Sequence, residues 1–286
     1  NSALLNYKDL VDNYLQINDW RVKENSTVTY SVGGLILSNS GAITANYWLS
    51  EIYDDEIAEA ADYGIAKEYF GCETLQAHHL SGEMVIVRKI IIRYLKHNLL
   101  AYDIANHNFT VDKLEYAFSH PFTFESAGQS LTVLLEGRAD RIDRLDENTL
   151  RIIDYKTGEE HLHFSGFDKL FNGTAAQRVS NTINTLMYAM IASAKYECDV
   201  QPALYYLRDM HDKNYTPLLL EGKGVGIRPV PIVRYSSIAE EFESQLFNTL
   251  GKMFDPAEPF CQAEDENSCT YCDFSTLCNR GKRRTE

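Results

Sequence analysis

The sequence predicts a mixed central β-sheet flanked by helices, an α/β (α+β) fold, and three observations carry that expectation. Apolar residues recur at three- and four-residue spacing in "DDEIAEAADYGIAKEYF" and in the longer run "GEMVIVRKIIIRYLKHNLLAYDI" that begins at Gly82. Near residue 111 the pattern changes to short alternation with β-branched residues in "VDKLEYAF", "SLTVLLEGRADRID" and "TLRIIDYKTG", as antiparallel strands require. Helical spacing then returns at roughly 177–197 in "QRVSNTINTLMYAMIASAKYE". Strands follow in "PALYYLRDM" and "VPIVRY", and a helix in "SIAEEFESQLFNTLGKMF".

The first 50 residues are the least regular. "KDLVDNYLQI" has helical spacing, and "STVTYSVGGLIL" alternates like a strand before a Gly/Ser-rich break. The chain therefore divides into a mainly helical part at 1–110, a strand-rich core at 111–258 and a cysteine-rich tail at 259–286, set off near Pro256–Pro259. No internal repeat or long low-complexity linker is present.

Composition bounds the function. The 286 residues are 44% hydrophobic and 24% charged, an ordinary globular balance with enough length for a sizeable core. No apolar run approaches the ~18–20 residues of a membrane span, and the N-terminus lacks a basic-then-apolar leader, so a cytoplasmic protein without a membrane partner is expected. A net charge of −14 argues weakly against a nucleic-acid partner, although the tail "CNRGKRRTE" is basic and acids at a metal site contribute to the total. Of six cysteines, Cys72 and Cys198 stand alone while Cys261, Cys269, Cys272 and Cys278 crowd the C-terminus. That distribution fits a metal or cluster site in a reducing compartment better than a disulfide framework.

The sharpest local signal is "EGRADRIDRLDENTLRIIDYKTGEE", residues 136–160. With Asp146, Glu147 and Asn148 as a hairpin loop, Leu145 opposes Thr149, Ile142 opposes Ile152 and Asp140 opposes Asp154. Directly opposed residues lie roughly 4.5–5.5 Å apart at Cβ, where like charges repel. Lys156 shares a face with Asp154 by the period-2 rule. One reading is an exposed strand face with a Lys–Asp pair. The other is a site for Mg²⁺ or Mn²⁺, hard cations that prefer carboxylate oxygens, with Lys156 orienting or deprotonating an attacking water and Glu115 supplying a third carboxylate.

"GRADRID" at 137–143 followed by "IIDYKTG" at 152–158 resembles the PD-(D/E)XK nucleases, in particular their RecB/AddB-like exonuclease branch. The resemblance covers roughly residues 85–280. It implies a restriction-endonuclease-like mixed sheet flanked by helices, and Mg²⁺- or Mn²⁺-dependent cleavage of DNA. Carried over, Asp140, Asp154 and the backbone carbonyl of Tyr155 are metal ligands, Lys156 is the catalytic lysine and Glu115 is the upstream acid. The branch's Q-x-x-x-Y helix motif falls on "NTLMY", placing Asn184 where glutamine is usual and Tyr188 at the tyrosine, near DNA. Arg138, Arg178 and the basic tail would draw the phosphates.

Cys269, Cys272 and Cys278 have the C-x2-C-x5-C spacing of the branch's iron–sulfur members, which implies a [4Fe–4S] cluster, with Zn²⁺ as the alternative occupant. Cys261 could supply the fourth thiolate locally in place of an early cysteine. Two departures stand out. There is no G-x-x-x-H, for neither His78 nor His79 in "QAHHLSG" has a glycine four residues before it, and no cysteine occupies the early position. Both are expected if the chain is a C-terminal piece of a longer protein. The resemblance implies DNA, as a single strand or duplex ends, and a helicase subunit or domain as partners. No G-x-x-x-x-G-K-[ST] is present, so the motor is not in these residues. The rival expectations are a DNA- or partner-binding module that keeps the fold without activity, and a zinc-stapled structural domain.

Overall fold

The computed structural model describes strands at 30–32, 35–37 and 43–45 and residues 54–280, except 107, 175, 223–227, 260, 264–265 and 270–271. The helical spacing after residue 53 gives α1, Asp54–Tyr69, and then α2, Glu83–Arg93. The predicted long helix is continuous but not uniform. After α2 it widens into a π-helical segment, Tyr94–Leu100, and closes as α3, Ala101–Ala105. The segment carries Asn98 into the interior, where its amide donates to the Leu207 carbonyl and, at 3.4 Å, to that of Arg208. Leu207 N–H in turn donates to the Lys156 carbonyl at 3.0 Å.

The main sheet has the order β1-β2-β3-β4-β5-β6-β8. Its strands are β1 (Tyr30–Val32), β2 (Leu35–Leu37), β3 (Ile43–Ala45), β4 (Thr110–Ser126), β5 (Gln129–Asp146), β6 (Thr149–Lys156) and β8 (Asp199–Tyr206). All neighbours are antiparallel except β6 and β8, which run parallel because α5, Ser180–Tyr196, crosses between them. A smaller sheet joins β7 (His163–Phe164), β9 (Leu220–Glu221) and β10 (Val230–Pro231). Helices α4, Phe167–Asn172, and α6, Ala239–Phe254, complete the fold, a mixed sheet flanked by helices.

Three expectations need correction and one lies out of reach. "STVTYSVGGLIL" is not one strand but two, β1 and β2, paired Val32 to Leu35 on either side of the Gly-Gly pair. "VPIVRY" contributes only Val230–Pro231 to a ladder, since Pro231 has no N–H to extend it, and Tyr235–Ser237 is a 3₁₀ turn. The strand expected at "VDKLEYAF" runs on to Ser126 through Pro121. Beyond Thr110 and Val111 that strand has no β3 partner, so among the described residues proline sits on an unpaired edge. Ala127 and Gly128, both at positive φ (49° and 73°), close this β4–β5 arm in a two-residue turn. The expected helix "KDLVDNYLQI" lies outside the described residues.

Each face of the sheet carries its own core. Val111, Ile153, Tyr155, Ala203 and Tyr205 pack against Ile57, Ile65, Leu95 and Leu99 of α1 and the long helix. Ile142, Leu150, Ile152, Leu204 and Tyr206 pack against Leu186, Met190 and Phe242 of α5 and α6. Central strands buried on both faces explain the nearly continuous apolar runs "LRIIDY" and "PALYY".

Candidate active site

The predicted hairpin register is present for most of its length: Arg141 opposes Ile153, Ile142 opposes Ile152 and Asp143 opposes Arg151. At the turn it differs. Asp146, not Leu145, pairs with Thr149, and Asp146 Oδ1 accepts from Asn148 N–H at 2.8 Å, which tightens the expected three-residue loop to two with a bulge at Leu145. At the other end the β5–β6 ladder stops at Arg141 and Ile153, so Asp140 and Asp154 stand where the strands part. There Asp140 Oδ2 accepts the freed N–H of Tyr155 at 2.7 Å.

The third acid reaches the same row from β4. Leu114 opposes Arg141 and Tyr116 opposes Ala139, which puts Glu115 opposite Asp140. Both strands change facing at this row. Leu114 packs in one core and Tyr116 in the other, two residues apart, as do Arg141 beside Tyr155 and Ala139 beside α5. Strict alternation would keep such residues on one face. The change takes place at Glu115, which adopts φ 47°, a conformation that costs a non-glycine residue of order 1–3 kcal/mol and is concentrated at functional sites.

Electrostatics follow from the placement. Burial, followed by the charges of Asp154 and Glu115, pushes the Asp140 carboxyl up to about 7, against the opposing pull of the Tyr155 N–H. Lys156 Nζ lies 2.5 Å from Asp154 Oδ2, both side chains being largely shielded. Glu115 Oε2 is 3.1 Å from Arg138 Nε. Among the described residues no three His, Cys, Asp or Glu side chains close around one point. The donors that could hold a cation are thus the two aspartates, with the Tyr155 carbonyl and, on release from Arg138, Glu115. Their all-oxygen chemistry fits Mg²⁺ or Mn²⁺.

The remaining candidates sort by position. Tyr188 lies over Gly137, and burial and the Asp154 charge raise its phenol while Lys156 lowers it, so it borders the acids. Asn184 is exposed one turn earlier on α5. Arg178, before α5, is exposed but donates its Nε to the Gly173 carbonyl at 2.7 Å. His79 accepts from Gln76 N–H and stacks on Phe70 at 4.3 Å, and His78 is exposed beside it. The six cysteines are free thiols. Cys269 and Cys278 are half-buried and Cys261 and Cys272 exposed, and in this arrangement they do not enclose a metal or cluster.

The profile of the PD-(D/E)XK nuclease superfamily matches residues 43–279. The chain belongs to that superfamily. PD-(D/E)XK proteins are metal-dependent phosphodiester hydrolases that use divalent cations such as Mg²⁺ or Mn²⁺, and the nuclease fold implies DNA as the substrate. The crystal structure of SSO0001 aligns over 95% of this chain and 95% of its own at 15% identity and a TM-score of 0.26, a likeness from which nothing follows for the site. Among the described residues of this PD-(D/E)XK chain no helix is long and apolar enough to cross a membrane.

At Gly137 the β5 backbone passes close under the Tyr188 ring. A Cβ there would lie 2.7 Å from Tyr188 Cδ1 and 3.2 Å from Phe118 Cε2. Gly137→Ala is therefore expected to displace the Tyr188 ring and to cost about 1–3 kcal/mol of stability, measured as the shift in a urea unfolding midpoint. Sequence reasoning missed Lys113, Tyr116, Lys195 and Tyr196, a cluster joined to this ring by the groove that Tyr188 and Lys195 both line. One signal was available, since Lys195 follows Tyr188 by seven residues on one helix face.

Proposed function

We propose that this chain is the metal-dependent exonuclease part of a DNA recombination and repair helicase–nuclease. In this reading Asp140, Asp154 and the Tyr155 carbonyl hold the cation, Lys156 assists the attack, and Glu115 is the upstream acid. The observation that carries it is the row Glu115–Asp140–Asp154 across three adjacent strands, with Lys156 paired to Asp154. A divalent cation bound there supplies positive charge against the phosphodiester and lowers the pKa of a water in its shell.

The chain's own residues do the rest. Tyr155 N–H fixes the Asp140 carboxylate, so one acid arrives already oriented. Asp154 sets the Lys156 ammonium at the mouth of the site, where it steadies charge developing on phosphorus or relays the proton lost by the attacking water. Tyr188, over Gly137, stands on one side of the acids, where its ring and hydroxyl face the substrate.

The exonuclease mode, the RecB/AddB-like branch and the helicase partner are supported by the sequence motifs. The same holds for a [4Fe–4S] cluster or zinc at Cys269, Cys272 and Cys278, which rests on their spacing. A visible absorbance band in the purified protein would point to iron–sulfur, and colourless protein containing zinc to the alternative. A second reading, a DNA- or partner-binding module without activity, is favoured by the Glu115–Arg138 pair and by the missing G-x-x-x-H.

The test is incubation with end-labelled single- and double-stranded DNA and Mn²⁺, beside Lys156→Ala. Progressive shortening from an end, lost by about 10²–10⁴-fold in the variant, is the expected result. Intact DNA with both proteins, in the presence of bound cation, would replace this reading with the binding module.

A further inference from the structure

Lys113 and Lys195 share one pair of tyrosine rings. The Lys113 ammonium lies 4.5 Å from the centroids of both Tyr116 and Tyr196 and donates to the Tyr196 hydroxyl at 3.0 Å. The Lys195 ammonium lies 5.6 Å and 5.9 Å from the same two centroids. Like charges crowded on common rings repel, and among the described residues neither has a carboxylate within salt-bridge distance. The acids within two residues of Lys113 on β4 are committed elsewhere, Glu115 to Arg138 and Asp112 to Arg144 at 3.5 Å. In a chain of net charge −14, two cations held together by aromatic faces, with no carboxylate partner among the described residues, are an arrangement suited to an anion.

Position says which anion. Lys113 and Tyr116 flank Glu115 on β4, so the cluster adjoins the acid row. A groove of about 460 Å³ is lined by Phe118, Gly137, Arg138, Tyr188 and Lys195, which connects the ring bordering the acids to the lysine. Tyr188 and Lys195 are seven residues apart on α5, roughly 10 Å along its axis, a span within the reach of neighbouring phosphates on one strand. We infer that Lys113, Lys195, Tyr116 and Tyr196 form an anion subsite that takes a backbone phosphate of the nucleic-acid strand flanking the bond placed at the acids. The inference rests on the nuclease reading and names where that substrate lies. The two tyrosines hold the ammonium groups in place, and the paired charge overcomes the repulsion of an acidic protein for a polyanion.

Binding of a fluorescent oligothymidylate by the full chain, followed by anisotropy over a salt series in metal-free buffer, tests this apart from cleavage. Lys195→Ala, at an exposed position, and Lys113→Met are each expected to weaken binding several-fold and to reduce the slope of log K against log salt by part of the roughly 0.7 that one single-strand phosphate contact carries, the double variant losing all of it. Lys195→Arg should keep the slope. Unchanged affinity and slope in both neutral variants would overturn the inference even if the parent degrades DNA, and so would a parent that binds no oligonucleotide. Conversely, reduced slopes in a protein that cleaves nothing would sustain the subsite and remove the nuclease reading.

Discussion

Asp154→Asn is expected to weaken Mn²⁺ binding by at least the roughly 10–100-fold that losing an outer-sphere partner costs a metal site, and to remove cleavage with it. The substitution keeps shape and deletes charge, so it isolates the electrostatics. In the parent, burial and the neighbouring Asp154 charge hold the Asp140 proton up to about pH 7, so a cation must displace that proton. Mn²⁺ affinity should then fall about tenfold per pH unit below 7 and level off above it.

The stability of the cation-free protein runs the other way. Asp140 is raised above its unfolded value, so the folded state binds the extra proton between the ordinary carboxylate range and about 7. Stability is lost as pH rises through that window, and Mn²⁺ should restore it. In Asp154→Asn the loss should be smaller, because one of the charges that raise Asp140 is gone. Melting curves with and without Mn²⁺ between roughly pH 5 and pH 8 read both effects. Equal pH dependence in parent and variant would show that the two acids do not share a site.

Arg141→Met is expected to cost about 3–5 kcal/mol, a large part of a typical domain's stability of roughly 5–15 kcal/mol. Arg141 is fully buried, behind the acids on the opposite face. It grips Asp143 through two bonds, at 2.6 and 3.0 Å, reaches Asp103 at 2.6 Å and donates to the Tyr155 hydroxyl at 3.2 Å. Arg151 shares Asp143 Oδ2 with it at 2.5 Å, and both guanidinium groups lie 4.7 Å from the Phe109 ring. Two arginines thus balance two aspartates away from water. Removing Arg141 leaves two carboxylates against one cation, and Asp103 Oδ1 already has no hydrogen-bond partner among the described residues. The paired change Arg141→Met with Asp103→Leu should recover part of the loss, since an apolar replacement needs no compensation. Urea midpoints of the three proteins decide it, and a single substitution as mild as the double one would refute the account.

This network marks the limit of what the sequence tells. The hairpin register, α5 and the acids were legible because period, turn residues and spacing are local. The difference between Arg141 and Arg144 was not. Both stand in one run of alternating charge, yet one is enclosed by the long helix and the other is 46% exposed. Burial depends on a layer supplied by residues 54–105, far away in sequence. The change of facing at Glu115 was hidden for a similar reason, since a backbone turned to positive φ leaves no trace in a pattern that assumes strict alternation. Lys113 and Lys195 are 82 positions apart and meet only because α5 crosses over β4.

The arm formed by β4 and β5 is anchored at both ends. At its base the two strands must reverse facing at the same rung. At its tip Ser126 Oγ donates to the Gly251 carbonyl at 2.6 Å, and Gly251 itself has no room for a Cβ, the Glu125 carbonyl being 2.9 Å from where one would lie. Between these anchors each residue of one strand is matched to one of the other, from Tyr116 with Ala139 to Ser126 with Gln129. A single deletion in either strand would slide one reversal past its counterpart and separate Glu115 from Asp140. Matched deletions would keep the acids together but pull the tip off α6. The arm behaves as a strut cut to length, and homologous chains that vary it should do so in step with the helix it meets.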